Sequence, residues 1–188
     1  MKQMNIITFD EVVDLLLKGE IGVMPTDTVY GLVAQATNES AVTRMYKLKN
    51  REHKPGTLIA STTNQLIALG VSSIEIERVT KYWPNPLSAV LSVNGSDYLH
   101  QSVGTLAMRV VADSKIGELL ERTGPLITSS ANQPGEPPAI TIKEAFAYFG
   151  DSVDFYVDGG KITDTLPSTI IRTTPSGIEI LRQGSIYL

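Results

Sequence analysis

The side chains best suited to chemistry in this chain are cations, together with hydroxyl and amide groups near the predicted ends of strands. Such groups can position phosphates and neutralise their charge, so that phosphoryl or nucleotidyl transfer proceeds with little side-chain proton chemistry. The set therefore favours a site that handles a nucleotide or a phosphate. It comprises Lys49, Arg51, Lys54, Arg109 and Arg182, with Thr28, Thr105, Thr128, Ser130, Asn132 and Ser168.

Several common catalytic signatures are missing from the sequence. It has no P-loop, no dinucleotide-binding glycine fingerprint and no Gly-x-Ser-x-Gly motif. It has no cysteine, which excludes disulfides, thiolate metal sites and cysteine nucleophiles, and its two histidines, His53 and His100, are too far apart to indicate a metal site. We therefore predict no protein-bound metal, and we expect His100 to be a surface residue of a loop.

A dense group of basic residues ends one predicted helix. Lys47, Lys49, Arg51, His53 and Lys54 precede Pro55-Gly56, with Glu52 as the one acid among them. Cations at a helix C-terminus complement the helix dipole, so a solvated helix end is one interpretation. Anion binding is the other, because this density is unusual in a chain with a net charge of −4.

Arg109 lies in the middle of an otherwise apolar predicted strand. Alternation places it on the same face as Thr105 and Ala107. A guanidinium in such surroundings needs an anionic partner. That partner is either an internal carboxylate or the carboxylate or phosphate of a ligand, and the sequence leaves both open.

The stretch Pro25–Leu32 follows an apolar run, Ile21–Met24, that predicts a buried strand ended by Pro25. Polar residues at the end of a strand are a common place for ligands in α/β proteins. A plain surface turn between a strand and a helix is the alternative.

Length and composition fit a globular protein with one folded domain, which we expect to span residues 1–188. Of its 188 residues, 42% are apolar and 19% charged, and no stretch approaches the ~20 apolar residues of a membrane span. The N-terminus does not resemble a signal peptide. We therefore expect a soluble, cytoplasmic protein without membrane contact, and the net charge of −4 argues against a large nucleic-acid footprint.

Predicted helices and strands interleave along the whole chain. Helix starts are indicated at Thr8, with Glu11 at the capping-box position, at Asn38 or Ser40, at Asp113 or Ser114, and at Thr141. A further helix is predicted over 73–83, and a hairpin at 169–181. This order predicts a single α/β domain with a twisted, mixed parallel and antiparallel sheet flanked by helices.

Read together and in order, the motifs resemble the YrdC-like family, the threonylcarbamoyl-AMP synthases. The resemblance covers nearly the whole chain, and the chain is similar to the short, single-domain members. It is carried by Pro25–Leu32, Lys49-Asn50-Arg51, Trp83–Leu87, Thr105–Arg109, Ser130-Ala131-Asn132, Pro167–Ile170 and Ile180–Gly184.

The resemblance implies a fold with a concave basic cavity and an adenylyl transfer. The family makes threonylcarbamoyl-AMP and pyrophosphate from L-threonine, bicarbonate or CO₂, and ATP, with Mg²⁺ as the companion of ATP. The product serves threonylcarbamoyladenosine formation at position 37 of tRNAs that read ANN codons. The partner implied by the resemblance is a downstream threonylcarbamoyl-transferase complex. The protein would contribute to tRNA modification only indirectly, through that complex.

The resemblance also assigns residues by position. Thr28, Arg109, Thr128 and Ser168 would bind threonine. Lys49, Arg51, Thr105, Ser130, Asn132 and Arg182 would bind ATP, with Lys49 and Arg51 catalytic.

The chain departs from the family pattern in three places. Glu52 replaces a proline, Asn85 replaces a glycine, and Pro138 replaces a serine. A non-catalytic RNA- or nucleotide-binding module that uses the same basic cavity is therefore the alternative function. The loop from Asp158 to Pro167 is the predicted lid.

Overall fold

The computed structural model describes residues 4–111, 114–163 and 165–188. Within these ranges, the strands are β1 Ile6–Ile7, β2 Gly22–Pro25, β3 Tyr30–Gln35, β4 Thr57–Ala60, β5 Leu87–Ser92, β6 Thr105–Val110, β7 Leu126–Ser130, β8 Phe155–Val157, β9 Thr169–Thr174 and β10 Gly177–Arg182. The α-helices are α1 Phe9–Leu17, α2 Glu39–Leu48, α3 Thr63–Ala68, α4 Ser73–Val79, α5 Asp97–His100, α6 Ser114–Thr123 and α7 Ile142–Phe149. Two 3-10 turns span Thr80–Tyr82 and Gly150–Ser152.

All the strands form one sheet in the order β1-β8-β2-β3-β7-β4-β6-β5-β9-β10. The pairs β1–β8, β2–β8, β4–β6 and β5–β9 are parallel. The pairs β2–β3, β3–β7, β4–β7, β5–β6 and β9–β10 are antiparallel. The predicted mixed sheet is confirmed.

Helices pack on both faces of the sheet, so the central strands are buried on both sides. In β3, Val33 belongs to the core beneath α1 and α6, while Leu32 and Ala34 belong to the core on the opposite face. This alternation explains why β3 is a continuous apolar run in the sequence. None of the helices in the described ranges is long and apolar enough to cross a membrane.

The predicted helix starts are largely confirmed. The Glu11 carboxylate accepts hydrogen bonds from the Thr8 N–H and hydroxyl, both at 2.8 Å. Asn38 caps α2 by accepting the Ala41 N–H at 3.0 Å, and Thr141 caps α7. Asp113 and the side chain of Ser114 lie outside the described residues, as do 1–3 and Asp164 of the predicted lid.

Pro25 is the last residue of β2, which confirms the predicted strand end. The alternative of a plain turn into a helix is wrong, because Pro25 pairs with Tyr30 and Pro25–Leu32 is the turn and the start of the second strand of a hairpin. The apolar residues after the turn pack on both faces of the sheet, and this favours a strand over a helix. The helix predicted over 73–83 ends at Val79 and gives way to a 3-10 turn.

His100 is buried, with only 3% of its surface exposed, and is not the surface residue we expected. Its Nδ1 accepts the Gly104 N–H and its Nε2 lies 3.1 Å from the Gly95 carbonyl oxygen. His100 ends the short helix α5, in a segment that we expected to be a loop, and its ring contacts both ends of the segment 95–104. Both of these glycines have positive φ, which lets the chain fold around the ring.

Candidate active site

A cavity of about 270 Å³ opens where the central strands end. The cavity is rich in hydroxyl groups, guanidinium groups and proline. Its lining residues are Thr26, Thr28, Val29, Gly31, Arg51, Pro55, Gly56, Thr57, Ala107, Arg109, Thr128, Ser129, Ser130, Pro138, Pro167, Ser168, Ile170 and Arg182.

Seven of the ten residues predicted from the sequence line this cavity: Thr28, Arg51, Arg109, Thr128, Ser130, Ser168 and Arg182. Lys49, Asn132 and Thr105 do not. Lys49 and Asn132 lie behind Ser130 and bind to it, and Thr105 is two residues before Ala107 at the start of β6. Which substrate each of the ten residues binds stays a prediction.

Strand register explains why distant residues meet here. Thr128 of β7 is paired with Val33 of β3 on one side and with Thr57 of β4 on the other. Thr57 is in turn paired with Ala107 of β6. Because paired residues of neighbouring strands point to the same face, the hydroxyls of β7 and β4 lie beside the arginine face of β6.

Arg109 is bound by an internal carboxylate. Its Nε donates to Asp27 Oδ2 at 2.8 Å and its Nη2 donates to Asp27 Oδ1. The side chains are only 3% and 10% exposed, so this is a buried, bidentate ion pair. Of the two readings that the sequence left open, the structure shows the internal salt bridge, and the same guanidinium also borders the cavity.

Arg182 reaches the cavity from the end of β10. Its Nη2 donates to the Ser168 carbonyl at 2.6 Å and its Nε donates to the same oxygen at 3.2 Å. Burial lowers the pKa of the Arg182 guanidinium, and repulsion from Arg109 and Arg51 lowers it further. The three guanidiniums are therefore close enough to interact, and an anion between them would relieve their repulsion.

Arg51 lies in the segment between α2 and β4. Its Nη1 donates to the Pro55 carbonyl oxygen at 3.3 Å, and burial lowers the pKa of its guanidinium. Besides the cavity, Arg51 borders an open surface groove of about 930 Å³ that also includes Glu52, His53 and Lys54. Arg51 thus stands at the boundary between the cavity and the outer surface.

Lys49 holds the loop that follows β7. Only 2% of Lys49 is exposed, and its Nζ donates to the carbonyl oxygens of Ser130 and Asn132 and to Asn132 Oδ1. The Ser130 hydroxyl donates to the same Asn132 Oδ1 at 2.7 Å. Burial, with repulsion from Arg51, lowers the pKa of the Lys49 ammonium to about 8.

Two glycines of the cavity wall allow their chain segments to lie close to Thr128 of β7. A Cβ on Gly31 would lie 2.6 Å from Thr128 Oγ1, and a Cβ on Gly56 would lie 2.6 Å from the Thr128 carbonyl oxygen. Side chains at these positions would displace β7. The glycine of the Pro25–Leu32 stretch therefore makes room for the hydroxyl of Thr128.

Three residues important to the site were missed from the sequence: Asp27, Ser88 and Gln101. Asp27 follows from the argument that a strand arginine needs an anion, because it is the acid of the motif Pro25–Leu32. Ser88 contacts Ser168 through their hydroxyls at 3.0 Å, and Gln101 binds the segment that carries Arg51. Neither of these two has a local signal, because both partners are distant in the chain.

The three residues that differ from the family pattern lie in different parts of the molecule. Pro138 lines the cavity, whereas Glu52 borders the outer groove. Asn85 donates its side-chain amide to the Tyr82 carbonyl at 3.1 Å, within the turn before β5. Only Pro138 therefore removes a polar group from the cavity wall.

The described residues that line the cavity include three arginines and no carboxylate. Over the described part of the chain, no group of three or more His, Asp or Glu residues is placed to hold a metal ion. The cavity is therefore suited to an anionic ligand with donors on several sides.

A family model and known relatives match the chain over most of its length. The family model for the Sua5/YciO/YrdC domain, described as "Telomere recombination", matches residues 14–184. Over 173 residues the chain is 34% identical to a Mycobacterium tuberculosis protein provisionally named threonylcarbamoyl-AMP synthase, covering 89% of this chain and 80% of that protein. A Mycobacterium leprae protein with the same name is 34% identical over 175 residues, covering 89% and 79%.

Solved structures resemble the chain over nearly its full length. P. abyssi Sua5 in complex with L-threonine superimposes with a TM-score of 0.82 at 27% identity, covering 94% of this chain and 54% of that one. E. coli YciO superimposes with a TM-score of 0.81 at 22% identity, covering 98% and 96%. The chain thus spans about half the length of the P. abyssi protein. With a family model that matches almost all of it, this chain belongs to the Sua5/YciO/YrdC family.

Proposed function

We propose that this protein is a threonylcarbamoyl-AMP synthase. It would convert L-threonine, bicarbonate or CO₂, and ATP into threonylcarbamoyl-AMP and pyrophosphate, acting as a nucleotidyltransferase. The mycobacterial relatives carry this name, and the P. abyssi relative binds L-threonine in its solved structure.

One observation of this chain carries the proposal: Arg51, Arg109 and Arg182 converge on a cavity lined with hydroxyls. Arg109 is buried and paired with Asp27, whereas Arg51 is partly buried and Arg182 exposed, and the repulsion that Arg182 feels from the other two guanidiniums would be relieved by an anion bound between them. The reaction supplies two anions, the carboxylate of threonine and the triphosphate of ATP.

Threonine would bind at the Arg109 end of the cavity. Arg109 keeps Nη1 outside its ion pair with Asp27, and that nitrogen lies 3.5 Å from Ser88 Oγ. The hydroxyls of Thr28, Thr128 and Ser168 offer further donors and acceptors to the substrate's amine, hydroxyl and carboxylate.

ATP would bind at the opposite side, with its phosphates against Arg51 and Arg182. The loop 130–132, held by Lys49, would lie beside the phosphates, and the Ser130 hydroxyl, which donates to Asn132 Oδ1 in this structure, would turn to donate to a phosphate oxygen. Direct phosphate contacts by Lys49, Asn132 and Thr105 stay predictions.

The reaction balances with the substrates alone. The neutral amine of threonine adds to CO₂ and releases a proton, giving a carbamate. A carbamate oxygen then attacks the α-phosphorus, the bond to the bridging oxygen breaks, and pyrophosphate leaves. Arg51 and Arg182 would stabilise the charge that develops on the phosphate oxygens.

Mg²⁺ fits this cavity as part of the ATP substrate. The cavity has hydroxyl oxygens but no carboxylate among its described lining residues, so the ion would be held by phosphate oxygens, water and hydroxyls such as those of Thr128 and Ser130. Bound there, Mg²⁺ would neutralise phosphate charge. We propose that the product passes to a threonylcarbamoyl-transferase complex, so tRNA is met only indirectly.

The test is the release of pyrophosphate by the purified protein with ATP, Mg²⁺, bicarbonate and threonine. We expect release that depends on threonine. Release without threonine, or none, would reject the synthase and leave the alternative of a non-catalytic binding module.

The arrangement of the cavity is tested by variants at its threonine end. Ser168→Ala removes one buried hydroxyl, and we expect it to raise KM for threonine by about tenfold while changing KM for ATP much less. Arg109→Ala should show the same selectivity more strongly, measured as the ratio of the two KM values because the variant also leaves Asp27 without its partner and destabilises the fold, with Arg172→Ala on the exposed hairpin as its control. Equal effects on both substrates would show that the two ends are wrongly assigned.

A further inference from the structure

A glutamine outside every motif joins the segment that carries Arg51 to the neighbouring loop. The Gln101 Nε2 donates to the Arg51 carbonyl at 3.0 Å, and its Oε1 accepts the Lys54 N–H at 2.8 Å. The Gln101 backbone oxygen lies 3.1 Å from His53 Nδ1. One residue thus contacts the segment 51–54 at three points.

The backbone at this junction is unusual on both sides. Asn50 and His53 have φ of 45° and 52°, and Gln101 and Ser102 have φ of 49° and 62°. These values lie in the left-handed region, which disfavours residues other than glycine. Conformations of this kind persist where surrounding contacts impose them, and they are concentrated at functional sites.

The loop that presents Gln101 is anchored in the core. Leu99 and His100 are buried, and the Leu99 carbonyl accepts the Tyr46 hydroxyl at 2.6 Å. His100 bonds to both ends of the loop, at Gly95 and Gly104. Gln101 therefore extends from a fixed base, whereas segment 51–54 has no strand or helix of its own.

We propose that Gln101 is a positioning residue for Arg51, which rests on the proposed function. By binding the backbone of Arg51 and Lys54, it sets where the Arg51 guanidinium enters the cavity. The proposal assigns Gln101 no contact with a substrate, and its effect is directed at ATP and not at threonine.

The test compares Gln101→Met with Gln65→Met. Methionine keeps the length of glutamine and removes both amide hydrogen bonds. Gln65 is a matched control because its amide also joins two segments, accepting the Ser61 N–H at 3.0 Å and donating to the Leu120 carbonyl at 2.8 Å, and these segments lie outside the cavity lining.

We expect Gln101→Met to lower kcat/KM for ATP by about tenfold, through a higher KM and a lower kcat because Arg51 also serves the transition state, while KM for threonine stays within about twofold. Gln65→Met should leave all of these constants unchanged. An unchanged kcat/KM for ATP in Gln101→Met, or an equal fall in Gln65→Met, overturns the proposal.

A second readout does not depend on catalysis. Trypsin cleaves after arginine, so native-state cleavage between Arg51 and Glu52 reports how firmly the segment is held. We expect at least about tenfold faster cleavage there in Gln101→Met than in Gln65→Met, and equal rates overturn the proposal.

If the unaltered protein releases no threonine-dependent pyrophosphate, the proposed function fails by itself. ATP affinity measured by calorimetry then replaces kcat/KM. An affinity of Gln101→Met equal to that of Gln65→Met overturns the positioning role, and a selective loss supports it.

Discussion

Replacing Asp27 with asparagine should destabilise the fold, because Asp27 compensates the charge of the buried Arg109. The two side chains are 10% and 3% exposed and share a bidentate contact. Asparagine keeps the shape and one oxygen acceptor but not the charge. The variant thus leaves the buried Arg109 guanidinium with a neutral partner that has one acceptor oxygen.

The magnitude follows from the burial of the pair. Removing one partner of a buried ion pair costs about 3–5 kcal/mol. Because asparagine can still accept one hydrogen bond from Arg109, we expect the lower end, about 3 kcal/mol. For a chain of this size that corresponds to a fall in Tm of roughly 6–12 °C.

The assay is urea denaturation, followed by circular dichroism and by the fluorescence of Trp83. The matched control is Glu179→Gln, which breaks the Arg172–Glu179 pair on the exposed hairpin, where the side chains are 53% and 48% exposed. Exposed pairs contribute less than about 1 kcal/mol, so this variant should be nearly neutral.

Two results would refute the reasoning. One is a loss in Asp27→Asn as small as that in Glu179→Gln. The other concerns the double variant Asp27→Asn with Arg109→Met, which removes both charges and should be more stable than additivity of the single variants predicts. Strict additivity would mean that the pair does not stabilise the fold as a unit.

Two further predictions concern the supports of the cavity. Because burial lowers the pKa of Lys49 to about 8, loss of its proton weakens its hold on loop 130–132, and kcat/KM for ATP should fall as the pH rises above about 8; a flat profile to about pH 9.5 would contradict this. Between about pH 8 and 10.5 the folded chain binds fewer protons at Lys49 than the unfolded chain does, so the contribution of Lys49 to the free energy of unfolding rises with pH. Urea denaturation at several pH values measures this stability effect separately from the effect on kcat/KM. Tyr46→Phe leaves the Gly56 N–H and the Leu99 carbonyl without a partner, so denaturation should show a loss of about 1–3 kcal/mol, and a loss near zero would contradict the observed bonds.

Sequence patterns were sufficient to predict most helices and strands and seven of the residues that line the cavity. Caps at Thr8, Asn38 and Thr141 are local signals, because the bonds that define them join residues three positions apart. The strand character of 105–110 and the shared face of Ala107 and Arg109 follow from alternation. The class of site, cations with hydroxyls, was therefore predictable from residue types.

Local patterns failed where a tertiary contact decided the structure. Pro25–Leu32 contains turn residues, and only pairing with β2 and β7 makes its second half a strand. His100 is a loop residue by pattern, and it is buried because the loop closes around it. Neither outcome has a signature within a few residues.

The chemical character of this protein was already present in its residue types: no thiol, few histidines, and cations and hydroxyls that suit a polyanion. Which of them share a cavity was decided only by the sheet, because strand register brings Thr57, Ala107 and Thr128 side by side. The partner of Arg109 was likewise decided by folding, since Asp27 lies far from it in the chain, and a buried guanidinium binds the carboxylate that the fold places within reach.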